Sequence, residues 1–154
     1  MITVRKKRTR KKAGSRAKAA KKDLVVGLGA TGLSVARYLK RAGQDAVFLD
    51  SREEPPGLQE LDELWPDAKR KLGGTKLPGK VARVIVSPGV PDSDAVVAAA
   101  HDAGLEVVSD IELFVREARA PFVGITGSNG KSTVTTLLYH MCRAAGHTAL
   151  AGGN

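Results

Sequence analysis

Apolar residues along the chain fall into short β-branched runs separated by stretches with helical spacing. Leu24-Val25-Val26, Ala46-Val47-Phe48-Leu49-Asp50, Val84-Ile85-Val86, Glu106-Val107-Val108 and Phe122-Val123-Gly124-Ile125-Thr126 each predict a strand, because runs of this kind suit a pleated, buried ribbon. Between the first two, Leu33, Ala36 and Leu39 recur every third residue and predict the inner face of a helix that ends at Gly43. Residues 51–57 form a loop marked by Pro55, Pro56 and Gly57, and a weakly helical stretch from Leu58 to Leu64 is closed by Trp65-Pro66. An alanine-rich helix is expected over 95–103, ended by Gly104. Another is expected over 110–118, with Ile111, Phe114 and Val115 on one face, and a long one over 131–145, ended by Gly146. Thr148-Ala149-Leu150 predicts the start of one more strand.

Alternation of strands and helices implies a parallel sheet with right-handed crossovers. Two strand–glycine loop–helix units stand out, at 24–42 and 122–145, and the second has little chain after it. The expected architecture is one whole small domain and the beginning of another.

Charge changes this picture only at the N-terminus. The chain of 154 residues has 25 Lys+Arg against 16 Asp+Glu, a formal net charge of +9. Eleven of those basic residues lie within residues 1–22, which contain no acidic one; taking 11 from 25 leaves 14 against 16 elsewhere. The excess positive charge therefore belongs to a tail, and a like-charge block without apolar periodicity is expected to be disordered. Such an arm can serve nonspecific nucleic-acid binding, but no aromatic residue interleaves its charges for base stacking, so no specific nucleic-acid partner is expected. A single Cys142 excludes an intrachain disulfide, and it is expected to be a small buried hydrophobe. With only His101, His140 and His147, a zinc cluster has almost nothing to draw on. No apolar run reaches the roughly 18 residues of a membrane span.

The chemistry is carried by the two loops. Gly27-Leu28-Gly29-Ala30-Thr31-Gly32 fits GxGxxG in its required context, after a strand and opening a helix. Gly27 permits the turn, Gly29 lets a phosphate approach the backbone, and Gly32 lets the helix pack on the sheet. The helix N-terminus offers N–H groups to an anion. Asp50 ends the next strand, where an acidic side chain could accept from a ribose hydroxyl, with Ser51 and Arg52 extending the site. Ser87-Pro88-Gly89 follows a further strand end. These residues support a nucleotide diphosphate without specifying which, and leave an NAD-dependent oxidoreductase open as an alternative.

Gly127-Ser128-Asn129-Gly130-Lys131-Ser132-Thr133 is a variant phosphate loop, since its glycines depart from the GxxxxGK[ST] spacing. Its backbone N–H groups would cradle phosphates, Lys131 would reach the terminal phosphates of ATP, and a hydroxyl would bind Mg²⁺. A dehydrogenase needs one such loop; an enzyme coupling ATP to a nucleotide-carried substrate needs two.

Residues 27–34 (GLGATGLS), 87–91 (SPGVP), 110–114 (DIELF) and 124–137 (GITGSNGKSTVTTL), with the closing Gly152-Gly153-Asn154, resemble the Mur ligase family in its MurD-type branch. The resemblance covers nearly everything from Leu24 to Asn154. Other Mur ligases and folylpolyglutamate synthases are the nearest alternatives. It implies an α/β chain: a basic tail (1–22), a Rossmann-like UDP-binding domain (23–109), and the first strand–P-loop–helix–strand of an ATPase domain (110–154). It implies a cytoplasmic, monomeric, ATP- and Mg²⁺-dependent ligase of peptidoglycan precursor synthesis. Such an enzyme joins D-glutamate to UDP-N-acetylmuramoyl-L-alanine through an acyl phosphate. By the same resemblance Gly29, Ala30 and Thr31 sit at the UDP diphosphate, and Asp50, Ser51 and Arg52 lie around the uracil. Gly89 lines that pocket, and Asn154 reaches toward the sugar–peptide end. Gly127, Ser128, Asn129, Gly130, Lys131, Ser132 and Thr133 form the ATP loop, with Lys131 catalytic and Ser132 the Mg²⁺ ligand. The family's later metal ligands and amino-acid domain are not in this sequence, so the chain alone is expected to be inactive.

Overall fold

The computed structural model describes residues 2–4, as backbone, and residues 22–152. In chain order they form β1 (Ile2–Val4), β2 (Lys22–Val26), α1 (Ala30–Arg41), β3 (Ala46–Asp50), α2 (Leu58–Leu64), β4 (Lys69–Leu72), β5 (Val81–Val86), α3 (Ala95–Asp102), β6 (Glu106–Ser109), α4 (Asp110–Glu117), β7 (Val123–Ile125) and α5 (Lys131–Ala144). They divide into two compact units. One ends at Glu117, and the other comprises Ile2–Val4 with 118–152.

The first unit is a five-stranded sheet in the order β4-β3-β2-β5-β6, with every neighbouring pair parallel. Strand order thus runs outward in one direction from β2 to β4 and in the other from β5 to β6, which creates a switch point between β2 and β5. Residues alternate between the two faces, as the strand period demands. Val25, Phe48, Ile85 and Val108 pack on one side with Leu33, Ala36 and Leu39 of α1, Leu61 of α2 and Leu113 of α4. Leu24, Val26, Leu49 and Val84 pack on the other with Val96 and Ala100 of α3. The expected inner face of α1 is therefore the one buried. Trp65 acts in packing, its ring edge-on to Phe48 at 5.9 Å. Caps are local: Asp94 accepts from the Val96 amide (2.8 Å) at the start of α3, and Ser109 accepts from the Glu112 amide (3.1 Å) at the start of α4.

Several expectations change. β4 has no counterpart in the sequence reading, because Lys-Arg-Lys-Leu lacks an apolar run; as an edge strand it needs none. β5 begins at Val81, three residues before the apolar triplet. α4 packs on the sheet through Leu113, so the compact unit that holds the sheet ends at Glu117. No strand forms at 148–150, where Leu150 is 97% exposed; a strand without a partner leaves its backbone groups unpaired. Cys142 is partly exposed, not buried. Within the basic stretch expected to be disordered, Ile2–Val4 is a strand and Lys22 opens β2; residues 5–21 lie outside the described residues.

In the second unit β1 pairs antiparallel with β7, Thr3 opposite Gly124, in place of a parallel neighbour. The helix α5 follows the loop, and none of its residues is buried; Val134, Leu137 and Met141 form an exposed apolar stripe.

At the amino ends of the strands, Arg83 holds the buried Asp23 carboxylate at 2.8 Å and also donates to Gln44. Removing one member of a buried pair strands the other charge. Arg83→Ala is expected to lower unfolding free energy by about 3 kcal/mol. Arg37→Ala breaks only the exposed pair with Glu60 and should cost about 0.5 kcal/mol. Urea titration followed by Trp65 fluorescence measures both.

Candidate functional site

Both glycine loops stand where a strand hands over to a helix. In the first, Gly27 continues the sheet by donating to the Leu49 carbonyl (2.9 Å) and then turns with φ +91°, a conformation that side chains rarely adopt. A Cβ on Gly27 would lie 3.0 Å from the Ser87 Cβ, and a Cβ on Gly32 would lie 2.1 Å from the Gly27 carbonyl oxygen. Both glycines are therefore required by packing inside the protein. Gly29 differs: a Cβ there would meet nothing within 4 Å. Gly29 is also the N-cap of α1, no side chain caps that helix, and Ala30 and Thr31 begin it. The amides of the first turn consequently open on free space beside Gly29.

The loop is braced from two sides. Ser87 donates its hydroxyl to the Gly27 carbonyl (3.1 Å), which ties the Ser87-Pro88-Gly89 turn after β5 to the turn after β2 across the switch point. Gly89 has open space at its Cβ position, like Gly29. On the other side the Leu28 carbonyl accepts from the Gly57 amide (3.0 Å), and a Cβ on Gly57 would press to 2.9 Å from that carbonyl oxygen. Sequence reading assigned Gly57 only to a loop, since its partner is far off in the chain. The capping Ser109 was missed although Ser109-Asp110-Ile111-Glu112 has the capping-box spacing. A cleft of about 530 Å³ continues from Ser87 and Pro88 past Asp92 and His101 to Ser109 and Glu112.

Asp50 sits at the carboxyl end of β3 and is only 3% exposed. Its Oδ2 accepts from the Leu28 amide and from Arg52 Nη2, both at 2.8 Å. Its Oδ1 accepts from the Arg52 amide (2.9 Å) and Arg52 Nε (2.8 Å). A carboxylate has about four acceptor positions, and these four bonds use them. Its acceptor positions are thus occupied from within the protein. The Arg52 guanidinium, chiefly, and the two backbone amides hold the carboxyl at about 2, against the contrary pull of burial. Ser51 is exposed beside it, and the Arg52 side chain is about half exposed, at 55%.

In the second loop Gly130 is the N-cap of α5 with φ +75°, again without a side-chain cap. Lys131 folds back over the loop, its Nζ donating to the carbonyls of Gly127 (2.6 Å) and Ser128 (3.4 Å). A cation thus already lies against the carbonyls of Gly127 and Ser128, in the loop that continues through Asn129 and Gly130. Ser132 and Thr133 are exposed at the helix start and line an open groove with Thr136, Leu137 and His140. Asn154 lies outside the described residues.

A doubly wound parallel sheet with a glycine turn at its switch point defines a Rossmann-type α/β unit. Residues 21–109 match the Mur ligase MurD-like N-terminal domain, and the chain belongs to that family. It is 51% identical over 134 residues to a UDP-N-acetylmuramoylalanine–D-glutamate ligase of Nitrosococcus oceani, and similarly to one of Alcanivorax borkumensis; each match covers 86% of this chain. The chain spans about 30% of the length of those relatives. Among solved structures it resembles a pseudomurein peptide ligase type C from Methanothermus fervidus, with 26% identity and a TM-score of 0.52, over 81% of this chain and 26% of that one. The UDP-N-acetylmuramate–alanine ligase MurC from Thermotoga maritima shares the fold at 24% identity and a TM-score of 0.52, over 80% of this chain and 29% of that one.

The glycines separate folding from binding. Gly32→Ala should destabilise the sheet unit by at least about 2 kcal/mol through overpacking. Gly29→Ala should leave stability within about 0.5 kcal/mol; thermal melting of the two variants tests the contrast. The Asp50 carboxyl is lowered on folding from 3.8 to about 2, so its contribution is complete above pH 4 and lost as pH falls toward 2. Asp50→Asn should remove that part of the acid transition in a pH titration of stability.

Proposed function

We propose that this chain is the nucleotide-binding portion of an ATP-dependent, ADP-forming ligase that joins D-glutamate to UDP-N-acetylmuramoyl-L-alanine in peptidoglycan precursor synthesis. The carrying observation is the pair of glycine loops, each opening a helix that no side chain caps. Two such loops suit one ligand on a nucleotide diphosphate and another with a triphosphate. The names of the relatives supply the particular substrates.

In this reading the UDP diphosphate lies over Gly29 and the first amides of α1, at Ala30 and Thr31. Its nucleoside end points toward Ser51 and Arg52, and Gly89 forms the opposite wall. Asn154 serves the sugar–peptide end. The second loop takes ATP: Lys131 exchanges its bonds to the Gly127 and Ser128 carbonyls for phosphate oxygens, and the loop amides hold the same phosphates. The Ser132 hydroxyl, exposed at the helix start, fits a hard cation such as Mg²⁺, which supplies charge neutralisation on the phosphates. The alanine carboxylate receives the γ-phosphoryl group, and the amine of D-glutamate displaces it to form the amide. In this reading the enzyme works in the cytoplasm, as a monomer. No helix of the described residues is long and apolar enough to cross a membrane.

Calorimetry on the chain should show UDP binding that Gly29→Val abolishes, because the new side chain fills the space beside the helix start. Tighter binding of NADH than of UDP would refute this reading of the first loop. For the second loop, residues 22–152 can replace the matching segment of the Nitrosococcus oceani ligase. ADP release with UDP-N-acetylmuramoyl-L-alanine, D-glutamate, ATP and Mg²⁺ should fall by at least about 10³-fold in the Lys131→Ala chimera. UDP binding should stay within about twofold of the unsubstituted chimera, since Lys131 lies in the other unit.

A further inference from the structure

We propose that Gly57 is a positioning residue for the diphosphate: its backbone amide holds the peptide unit between Leu28 and Gly29 in the orientation that turns the Gly29 N–H toward the ligand, while Gly57 itself touches no ligand. The inference rests on the reading of the first loop as a UDP site. In a trans peptide the carbonyl and the following N–H point to opposite sides of the chain. Tying one end of such a unit therefore sets the direction of the other. Two successive units of the turn are tied in this way. In the first, Ser87 donates to the Gly27 carbonyl (3.1 Å) and the Leu28 N–H donates to Asp50 Oδ2 (2.8 Å). In the second, the Gly57 amide donates to the Leu28 carbonyl (3.0 Å), and the Gly29 N–H has no partner among the described residues. The Gly29 N–H thus faces away from Gly57. Leu28 and Gly57 are buried, whereas Ala30 is exposed and a Cβ on Gly29 would meet nothing within 4 Å.

The tie matters because of the residue that follows it. A peptide unit that precedes glycine flips at little cost, since glycine accepts either sign of φ. In the flipped unit the Leu28 carbonyl oxygen would stand in place of the N–H and oppose a phosphate oxygen. The bond from Gly57 resists that flip, and Gly57 is itself anchored. Its carbonyl accepts from the Leu61 amide (3.0 Å), and Leu61 is fully buried. The backbone at 57 does not need glycine for its own sake, because its φ of −93° is open to any residue. What demands glycine is the neighbouring turn: a Cβ at 57 would lie 2.9 Å from the Leu28 carbonyl oxygen and 3.0 Å from Leu33 Cδ1. Substitution there pushes on the same peptide unit that carries the Gly29 N–H.

UDP and uridine, which lacks the phosphates, separate the two ends of the ligand. Nuclear magnetic resonance titration of the full chain with each reads both affinity and the Gly29 amide resonance. In the unsubstituted chain UDP should shift that resonance and uridine should not. Two variants are compared. Gly57→Ala presses on the Leu28 carbonyl. Replacement of Gly57 by glycolic acid turns the amide into an ester, which removes the donor and adds no side chain. Each should weaken UDP by about fivefold or more, the size of one hydrogen bond. Each should leave uridine within about twofold, and the shift of the Gly29 amide on adding UDP should shrink. A role confined to folding the loop would weaken UDP and uridine together, and that result overturns the proposal. Unchanged UDP affinity in the ester variant also overturns it. Should Gly57→Ala fail to fold, the ester variant decides alone. No binding of UDP by the unsubstituted chain, or uridine bound as tightly as UDP, refutes instead the reading of the first loop as a diphosphate site.

Discussion

A carboxylate buried at the end of β3 sets the geometry around it. Asp50 is taken out of water, and a buried charge is tolerable only when its acceptor positions are met. The donors available are the amide of Leu28, the amide of Arg52 and the guanidinium of Arg52. Satisfying the charge thus places Leu28, and Leu28 places the glycine turn on either side of it. The carbonyl of Leu28 then accepts from Gly57, so the loop before α2 is held to the same point. Ser87 closes the remaining side. The turn has little freedom left, and the first amides of α1 emerge in a fixed direction.

Much of this was legible because it is local. The alternation of strand runs and helical spacing gave the sheet unit, and the face of α1 marked by Leu33, Ala36 and Leu39 is the face that packs. The division of labour among the three loop glycines was only half legible. GxGxxG assigns roles by position, but the open space at Gly29 and the closed space at Gly32 are visible only once the strand and the helix are folded together. Gly57 and Ser87 meet the loop from 29 and 60 residues away in sequence, counting from Leu28 and Gly27, and no pattern along the chain signals such a contact. Asp50 was placed at its strand end, but its bond to Arg52 was not legible, because the rule for acidic residues at this position says nothing of an arginine two residues on.

β4 shows the opposite limit. A strand buried on both faces announces itself by an apolar run, whereas an edge strand carries charge that keeps other chains from pairing with it. Lys-Arg-Lys-Leu is legible as protection of an edge only after the edge is known. The second unit repeats the lesson at the level of a helix. Period and the glycine at its end marked α5 locally, yet it buries no side chain among the described residues, because burial needs a partner that period alone does not provide.

The order β4-β3-β2-β5-β6 also governs when the molecule acquires its shape. The strand at the centre of the sheet is the earliest of the five to leave the ribosome, and its second neighbour, β5, follows only after two helices and two other strands. Contacts between such distant segments carry the entropy of closing a long loop before they return any energy, which slows folding. Until β5 docks, β2 has one paired neighbour, Asp23 has no Arg83, and the turn at Gly27 lacks the hydroxyl of Ser87. A nascent chain arrested before Val81 would therefore hold its phosphate turn in sequence but not in form.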